Sequence, residues 1–566
     1  MRWLDSPVDA ESVRRLSREL QVSPLVARLL VQRGLAEPAA AQAFLHPSLG
    51  QLHAPERMAG MREAVVRLRR ALEQHEKILI YGDYDVDGTM AVVVLLTALR
   101  MLGAEVEAYV PHRLTDGYGM RVPVVEEAAA NGFRVVISVD TGIREHAVLA
   151  RARELGVDCI VTDHHLPDSH LPPACAILNP HRTDCDYPEK SLAGVGVAFK
   201  LAQVLLGDKM TERLLRSYLK MVAIGTIADV VPLTGENRVI ARFGLEGLRQ
   251  PAQSGLTALI ELSSLAGKEI SAGDVGFRLA PRLNAAGRMG NARDVIDLFT
   301  LPDAARTREI AERLERLNRE RQRVEEEILT EIVAQVERRA GLSEQYTLVL
   351  AGEGWHRGVI GIVAQRVAER YHRPALVIGI EDGVGSGSGR SIKSFHLLDA
   401  LTSVGDLFQR FGGHAQAAGF KISVEHIAHL TQRFEEYARK VLTAPDLEPA
   451  LHVDALIDLA EVDWPLYEEI IQLEPFGMGN LTPVFGACGV RLNGAPRILQ
   501  EKHLKLRVGQ GARTIDALGW RWAARAPSLE AGQQVDLAFT VERNNYQDMA
   551  SLQLNIKDIV ATGGMG

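Results

Sequence analysis

Apolar residues fall into three rhythms along this chain, and each rhythm predicts a different kind of element. Between residues 77 and 162 they form short continuous runs, Lys77-Ile-Leu-Ile-Tyr81, Val135-Val-Ile-Ser-Val139 and Cys159-Ile-Val-Thr162, each followed by polar residues. Runs of this length read as strands buried on both faces. With helical stretches such as Thr89–Leu102 between them, they predict a parallel sheet covered by helices on both sides. Residues 303–340 follow helical spacing instead. Ile310, Leu314, Leu317, Val324, Ile328, Ile332 and Val336 recur among abundant Arg and Glu, which predicts one long amphipathic connecting helix with a solvated charged face. The third rhythm is strict alternation, in His503–Val508, Val535–Thr540 and Leu552–Ile556, and it predicts the half-buried strands of a small barrel of the oligonucleotide-binding (OB) kind.

The changes of rhythm divide the chain into five parts. An N-terminal segment of short helices (1–50) precedes a large α/β domain (51–300) and the connecting helix (301–342). A smaller α/β domain (343–445) carries Gly-rich segments at Gly383–Gly389 and Gly412–Gly419, and past the linker Ala444–Pro449 comes the β-rich part (446–566).

Composition narrows the class. Hydrophobic content of 46% and charged content of 24% over 566 residues describe an ordinary globular protein of several domains. The N-terminus has no apolar signal core, and the run Met90–Leu99 is too short to span a bilayer, so a cytoplasmic protein without membrane association is expected. Cys159, Cys175, Cys185 and Cys488 follow no zinc spacing and read as reduced thiols. The net charge of −8 weighs against a nucleic-acid partner without excluding one. Metal-binding carboxylates enter that sum without their cations, and basic surfaces coexist with an acidic total.

Asp83, Asp85 and Asp87 follow the first strand at a spacing of two. If the chain stays extended there, the three side chains point the same way, and like charges so close are costly unless a cation neutralises them. Taken alone, the triplet reads equally well as a solvated acidic turn. Its companions shift the balance: Asp140 ends the second strand, Asp163-His164-His165 ends the third, and Asp229 lies among apolar residues where an unpaired carboxylate is expensive. Parallel sheets gather such strand ends at one edge. Mixed carboxylate and imidazole donors suit Mn²⁺ first and Mg²⁺ second.

Asp83-Tyr-Asp-Val-Asp-Gly88, Ser138-Val-Asp-Thr-Gly142, Thr162-Asp-His-His165 and Gly225-Thr-Ile-Ala-Asp229 resemble the four signature motifs of the DHH phosphoesterase superfamily. Leu192–Phe199, Pro281–Arg288, Gly387–Ser391, Gly412–Gly419 and Glu474–Asn480 are similar to segments of its RecJ branch, the bacterial single-strand-specific 5′→3′ DNA exonucleases. The resemblance runs from about residue 20 to 560. It implies a DHH domain joined by the long helix to a DHHA1-type domain, with an OB-like barrel behind. It also implies two divalent ions bridged by Asp140, one completed by Asp87, His164 and Asp229 and the other by Asp85 with Asp83 as ligand or neighbour. Relatives that cleave small substrates carry a His near Tyr81 that is missing here.

By the same resemblance His165 touches the scissile phosphate and acts with Asp140 in catalysis. Arg288, Ser388 and Arg390 hold a terminal 5′-phosphate, Asn284 also binds substrate, Arg113 and Tyr118 clamp the strand, and His414 shapes the pocket floor. The implied protein is a monomeric exonuclease of recombination and repair that releases 5′-mononucleotides, with single-strand-binding protein and a RecQ-type helicase as partners. Two alternatives stay open on the residues: a phosphodiesterase for short oligoribonucleotides or cyclic dinucleotides, and a non-catalytic DNA-binding scaffold.

Overall fold

The computed structural model describes residues 2–113, 115–117, 119–338, 341, 344–546 and 549–561. The chain divides into two compact units. One contains 53–231 and 243–448, the other 1–52, 232–242 and 449–566.

The larger unit is built first around a five-stranded parallel sheet. Its elements in chain order are β1 (Lys77–Gly82), α1 (Val86–Met101), β2 (Val106–Tyr109), β3 (Phe133–Val139), β4 (Asp158–Thr162), β5 (Ala176–Leu178), α2 (Gly194–Leu206) and α3 (Glu212–Ala228). The strands lie in the order β2-β1-β3-β4-β5, every pair parallel. Alternation within β1 explains why both faces are apolar. Leu79 and Tyr81 join a cluster with Val125, Val136, Val148 and Leu149, leaving Ile78 and Ile80 for the face that carries α1. α1 is buried nearly all round because α2 and α3 pack on it from outside.

Next comes α4 (Ala280–Met289), then α5 (Ala304–Glu337), a single helix of 34 residues and so ~51 Å long, which Asp303 caps by accepting from Ala305 N at 2.8 Å and Arg306 N at 3.2 Å. The apolar stripe is where the pattern puts it, with Ile310, Leu314, Ile328, Ile332 and Val336 buried and Leu317 and Val324 half-buried. The charged face departs from the expectation of full solvation. Asn318, Arg321 and Glu325 are buried, because Arg321 donates to both Asn318 Oδ1 (2.6 Å) and Glu325 Oε2 (2.5 Å) while Arg366 pairs with Glu325. Mutual neutralisation lets these charges leave water.

A second sheet follows: β6 (Leu348–Glu353), α6 (Ile360–Tyr371), β7 (Ala375–Glu381), β8 (Val384–Arg390), β9 (Phe408–Gly413), β10 (Ala417–Ser423) and α7 (Ile427–Val441). The strand order is β9-β10-β8-β7-β6, antiparallel except for β6 with β7.

The other unit is a barrel of β11 (Phe485–Leu492), β12 (His503–Gln510), β13 (Arg513–Gly519), β14 (Gln534–Tyr546) and β15 (Met549–Ala561). It closes in the order β11-β14-β15-β13-β12, with β12 returning to β11. The N-terminal helices Ala10–Leu20, Pro24–Gln32 and Pro38–Leu45 share its core. Leu16, Leu29, Leu30 and Phe44 belong to one cluster with Leu466, Phe485, Leu504, Phe539 and Leu554. Arg2–Asp5 pairs in parallel with Ala450–Val453. Arg238 is buried in this unit, stacked 3.7 Å from the Phe44 ring centre and donating to the carbonyls of Phe44, Leu473 and Glu474. The four cysteines are free, and no helix of the described residues is long and apolar enough to cross a membrane.

Candidate active site

Because every strand of the first sheet runs the same way, the residues that follow β1, β3 and β4 emerge at one edge. The aspartate triplet does not stay extended there. The chain turns into α1 at Val86, so Asp83 ends the strand region, Asp85 caps the helix by accepting from Gly88 N at 3.0 Å, and Asp87 sits in the first turn. A strand-to-helix turn, not a pleat, brings the three carboxylates together. Asp87 is fully buried and accepts from Gly194 N (2.6 Å) and Val195 N (2.9 Å) at the start of α2. Position 194 must be glycine, since a Cβ there would stand 2.7 Å from Asp140 Oδ1.

Asp140 adopts a left-handed conformation (φ +58°), unusual for a residue other than glycine, with its N–H donating to Thr162 O at 2.9 Å. Its carboxylate thereby faces His164. His164 Nε2 lies 3.2 Å from Asp140 Oδ1, 3.6 Å from Asp229 Oδ2 and 3.9 Å from Asp87 Oδ2. Three donor sets result, each with its ligand atoms within 4.8 Å of one another: Asp87, His164 and Asp229; Asp83, Asp85 and Asp140; and Asp140, His164 and His165.

The electrostatics of these sets fit divalent cations. Asp83 Oδ1 and Asp140 Oδ1 are buried without a completed hydrogen bond, a costly condition for a carboxylate. Burial, then the neighbouring carboxylates, pushes Asp83 and Asp140 far above the ordinary range, Asp87 up to about 7 and Asp229 up to about 9. Burial, then the adjacent His165, holds His164 down at about 4, so its imidazole is neutral and able to ligate. A crowd of acids that protein contacts leave unneutralised, beside a neutral imidazole, is a donor set for hard or borderline cations.

Asp163, assigned no role of its own from the sequence, belongs to no donor set of this kind among the described residues. Fully buried, it accepts from Ile143 N (3.0 Å), His164 N (2.7 Å) and His165 N (3.0 Å), and its Oδ1 lies 2.7 Å from His165 Nδ1. Burial opposes its charge, but His165 and these N–H groups outweigh burial and hold it below the usual carboxylate range. His165 is raised in turn, the pairing with Asp163 overcoming its burial. The bond to Nδ1 fixes the ring. Only the position of Asp163, a strand-end acid directly before two histidines, hinted at this in the sequence.

A second group of residues is cationic. Arg288 on α4 donates to Gly358 O at 3.0 Å, and burial, then Arg113, Arg321 and Arg390, lowers it to about 9. Arg390 ends β8, bonded to Ser388 Oγ (3.2 Å) and Gly389 O (2.8 Å), and is lowered by burial and by Arg113. Ser388 and Arg390 share a face of β8. Gly361, in the first turn of α6, leaves them room, since a Cβ there would stand 3.1 Å from Ser388 Oγ. Arg113 lies over the Tyr84 ring at 4.8 Å. Guanidinium groups that repel one another beside a helix N-terminus make a setting in which an anion would be stabilised. Asn284 is half-buried one helical turn before Arg288. His414 lies in the β9–β10 turn, its N–H donating to Ala417 O at 2.8 Å, and is lowered by burial, Arg144 and His165. Tyr118 lies outside the described residues.

In the barrel unit a groove of about 350 Å³ is lined by Trp464, Arg507, Arg513, Asn544, Ser551 and Gln553 among others. Nearby on the barrel, Lys505 is paired with Asp516 (2.8 Å) and Trp520 is half-exposed against His503, while the side chain of Tyr546 lies outside the described residues.

The chain matches the DHH family N-terminal domain over residues 77–226, the DHHA1 domain over 344–440 and the RecJ OB domain over 453–558. It is 39% identical over 561 residues to the single-stranded-DNA-specific exonuclease RecJ of Bacillus subtilis, covering 99% of this chain and 70% of that one. To the RecJ of Salmonella typhimurium it is 35% identical over 97% of this chain and 98% of that one. Among solved structures it is similar to RecJ of Thermus thermophilus in complex with Mn²⁺, at 31% identity and a TM-score of 0.84, covering 100% of this chain and 81% of that one. The Mg²⁺ complex of the same exonuclease matches at 29% identity and a TM-score of 0.78, covering 100% and 79%.

Proposed function

On the premise that this chain belongs to the RecJ family of single-stranded-DNA-specific exonucleases, we propose that it hydrolyses single-stranded DNA from the 5′ end, releasing 5′-mononucleotides, and serves recombination and repair. The observation that carries the proposal is the joining of two sites: a crowded acid cluster sharing Asp140, and a guanidinium pocket whose Arg288 is acted on by Asp85 of that cluster.

Asp87, His164 and Asp229 would hold one divalent ion, Mn²⁺ or Mg²⁺, and Asp83 and Asp85 the other, with Asp140 between. Such ions, when bound, lower the pKa of a water and neutralise charge at phosphorus. The protein's own groups do the rest. Asp163 holds His165 through Nδ1 and so orients the ring, whose Nε2 would donate to a phosphoryl oxygen. Arg113, Arg288, Arg390 and Ser388 grip the terminal phosphate and so set how far from the end the cut falls. None of these groups reads a base edge, so the reaction is indifferent to sequence. The barrel groove, with its Trp, Arg and amide side chains, supplies a second surface for the strand. The ends consumed are those that a helicase exposes and single-strand-binding protein coats, which makes these the expected partners.

The test is a comparison, in Mn²⁺, of 5′-labelled single-stranded DNA, duplex DNA, a short RNA and a cyclic dinucleotide. Labelled mononucleotide should leave the single strand first, and Asp140→Ala should reduce its release to background. Preference for the cyclic dinucleotide would sink the exonuclease reading. Full activity in the Asp140 variant would sink the metal assignment.

A further inference from the structure

A pocket for the end and a centre for the cut account for two phosphates of a strand. The carboxyl edge of the parallel sheet carries a third cation, Arg144, that neither site uses. Arg113 emerges beyond β2, the aspartate triplet beyond β1, Asp140 and Arg144 beyond β3, and His164 and His165 beyond β4, in the order in which the strands lie. Three strand spacings separate β2 from β4, about 14 Å.

Arg144 leans toward the β4 side. Its Nε donates to Leu166 O at 2.9 Å, directly after His165, and lies 3.5 Å from Asp168 Oδ1. The residue before it, Ile143, donates its N–H to the same Asp163 carboxylate that holds His165. Arg144 and His165 are also the two cations that act on His414, whereas Arg113 acts on Arg390. A line therefore crosses the edge, from Arg113, Arg288 and Arg390, through the acid cluster, to His165 and Arg144. The Arg144 side chain remains 46% exposed, within reach of a ligand. Its pairing with Asp168, which His146 also approaches at 3.4 Å, is loose and exposed and contributes little to stability.

We propose that Arg144 binds the phosphate immediately 3′ of the scissile one. The inference rests on the exonuclease reading and extends it: the site measures three consecutive phosphates, and a strand long enough to present the third is preferred over a dinucleotide. Asp168 is then the competing anion that restrains the guanidinium when no strand is present.

The experiment compares kcat and KM, in Mn²⁺, for 5′-phosphorylated oligothymidylates. The dinucleotide carries only the terminal and scissile phosphates, while the trinucleotide and a long oligomer carry the third. Arg144→Ala should raise KM roughly tenfold on the two longer substrates alone, the worth of one charged hydrogen-bonding contact. The salt dependence of KM on the long oligomer should fall by about one phosphate contact. Arg144→Lys should recover part of the loss, and Asp168→Asn should lower KM on the same substrates. Equal loss on the dinucleotide, or no change on any substrate, would overturn the inference. A wild-type protein that releases no mononucleotide from the long oligomer would overturn the exonuclease reading itself, which separates the two failures.

Discussion

Asp163 organises the site without entering either carboxylate set, and its isolation from water makes it sensitive to small changes. Asp163→Asn keeps the shape but turns one acceptor oxygen into a donor facing N–H groups and frees the His165 ring. The expected result is a 10- to 100-fold loss of kcat with Mn²⁺ affinity changed much less, measured by kinetics beside calorimetric titration. The acids around Asp163 behave in the opposite sense. A carboxylate whose pKa is raised by folding keeps its proton where the unfolded chain has lost it. The folded state therefore loses stability as pH rises from the ordinary value of 3.8 through about 7 for Asp87 and about 9 for Asp229. Thermal unfolding in chelator should show the melting temperature falling across that window, and added Mn²⁺ should raise it most at the alkaline end. Asp83, Asp85, Asp87, Asp140, His164 and Asp229 were all legible as candidates, because each ends an apolar run or interrupts one. The role of Asp163 was not, because its partners are backbone N–H groups supplied by a turn whose path no pattern of residue types reveals.

The elements show where periodicity carries information and where it fails. The three central strands of the parallel sheet and the stripe on α5 follow from apolar spacing, whereas the short edge strands β2 and β5 do not. The burial of Asn318, Arg321 and Glu325 does not, since a charged residue matched within its own helix looks the same on paper as one in water. Glu325 joins two neighbours, Arg321 on α5 and Arg366 on α6. Glu325→Ala would strand the Arg321 guanidinium in the interior and should cost about 3 kcal/mol, read from denaturant unfolding. Because Arg321 is one of the cations acting on Arg288, KM for 5′-phosphorylated ends should change in the same variant. The aspartate triplet is the other lesson at this scale. Spacing of two suggested a pleat, but Asp85 is a good helix cap, and capping decided the local path.

At the scale of the whole molecule, the chain crosses between its two units at 52/53, 231/232, 242/243 and 448/449. Changes in apolar rhythm mark neither the excursion at 232–242 nor the sharing of the barrel core with the first helices, because contacts between distant segments leave no local periodicity. Arg238 is the clearest product of that excursion. Arg238→Met removes the donor to four backbone carbonyls, those of Phe44, Gln472, Leu473 and Glu474, and a loss of about 3 kcal/mol or more is expected in the unfolding of the barrel unit, followed by the fluorescence of Trp3, Trp464, Trp520 and Trp522. The shared core also has a consequence in time. Leu16, Leu29 and Leu30 complete their core only with residues beyond 449, about 400 residues later in synthesis, although the first helices also pack on one another. At ~5–20 residues per second, a ribosome needs roughly 20–80 s to supply them. For that interval the first helices travel as an unclosed apolar surface, and a nascent chain stalled before residue 449 should be bound by chaperones and cut readily by protease within its first 52 residues.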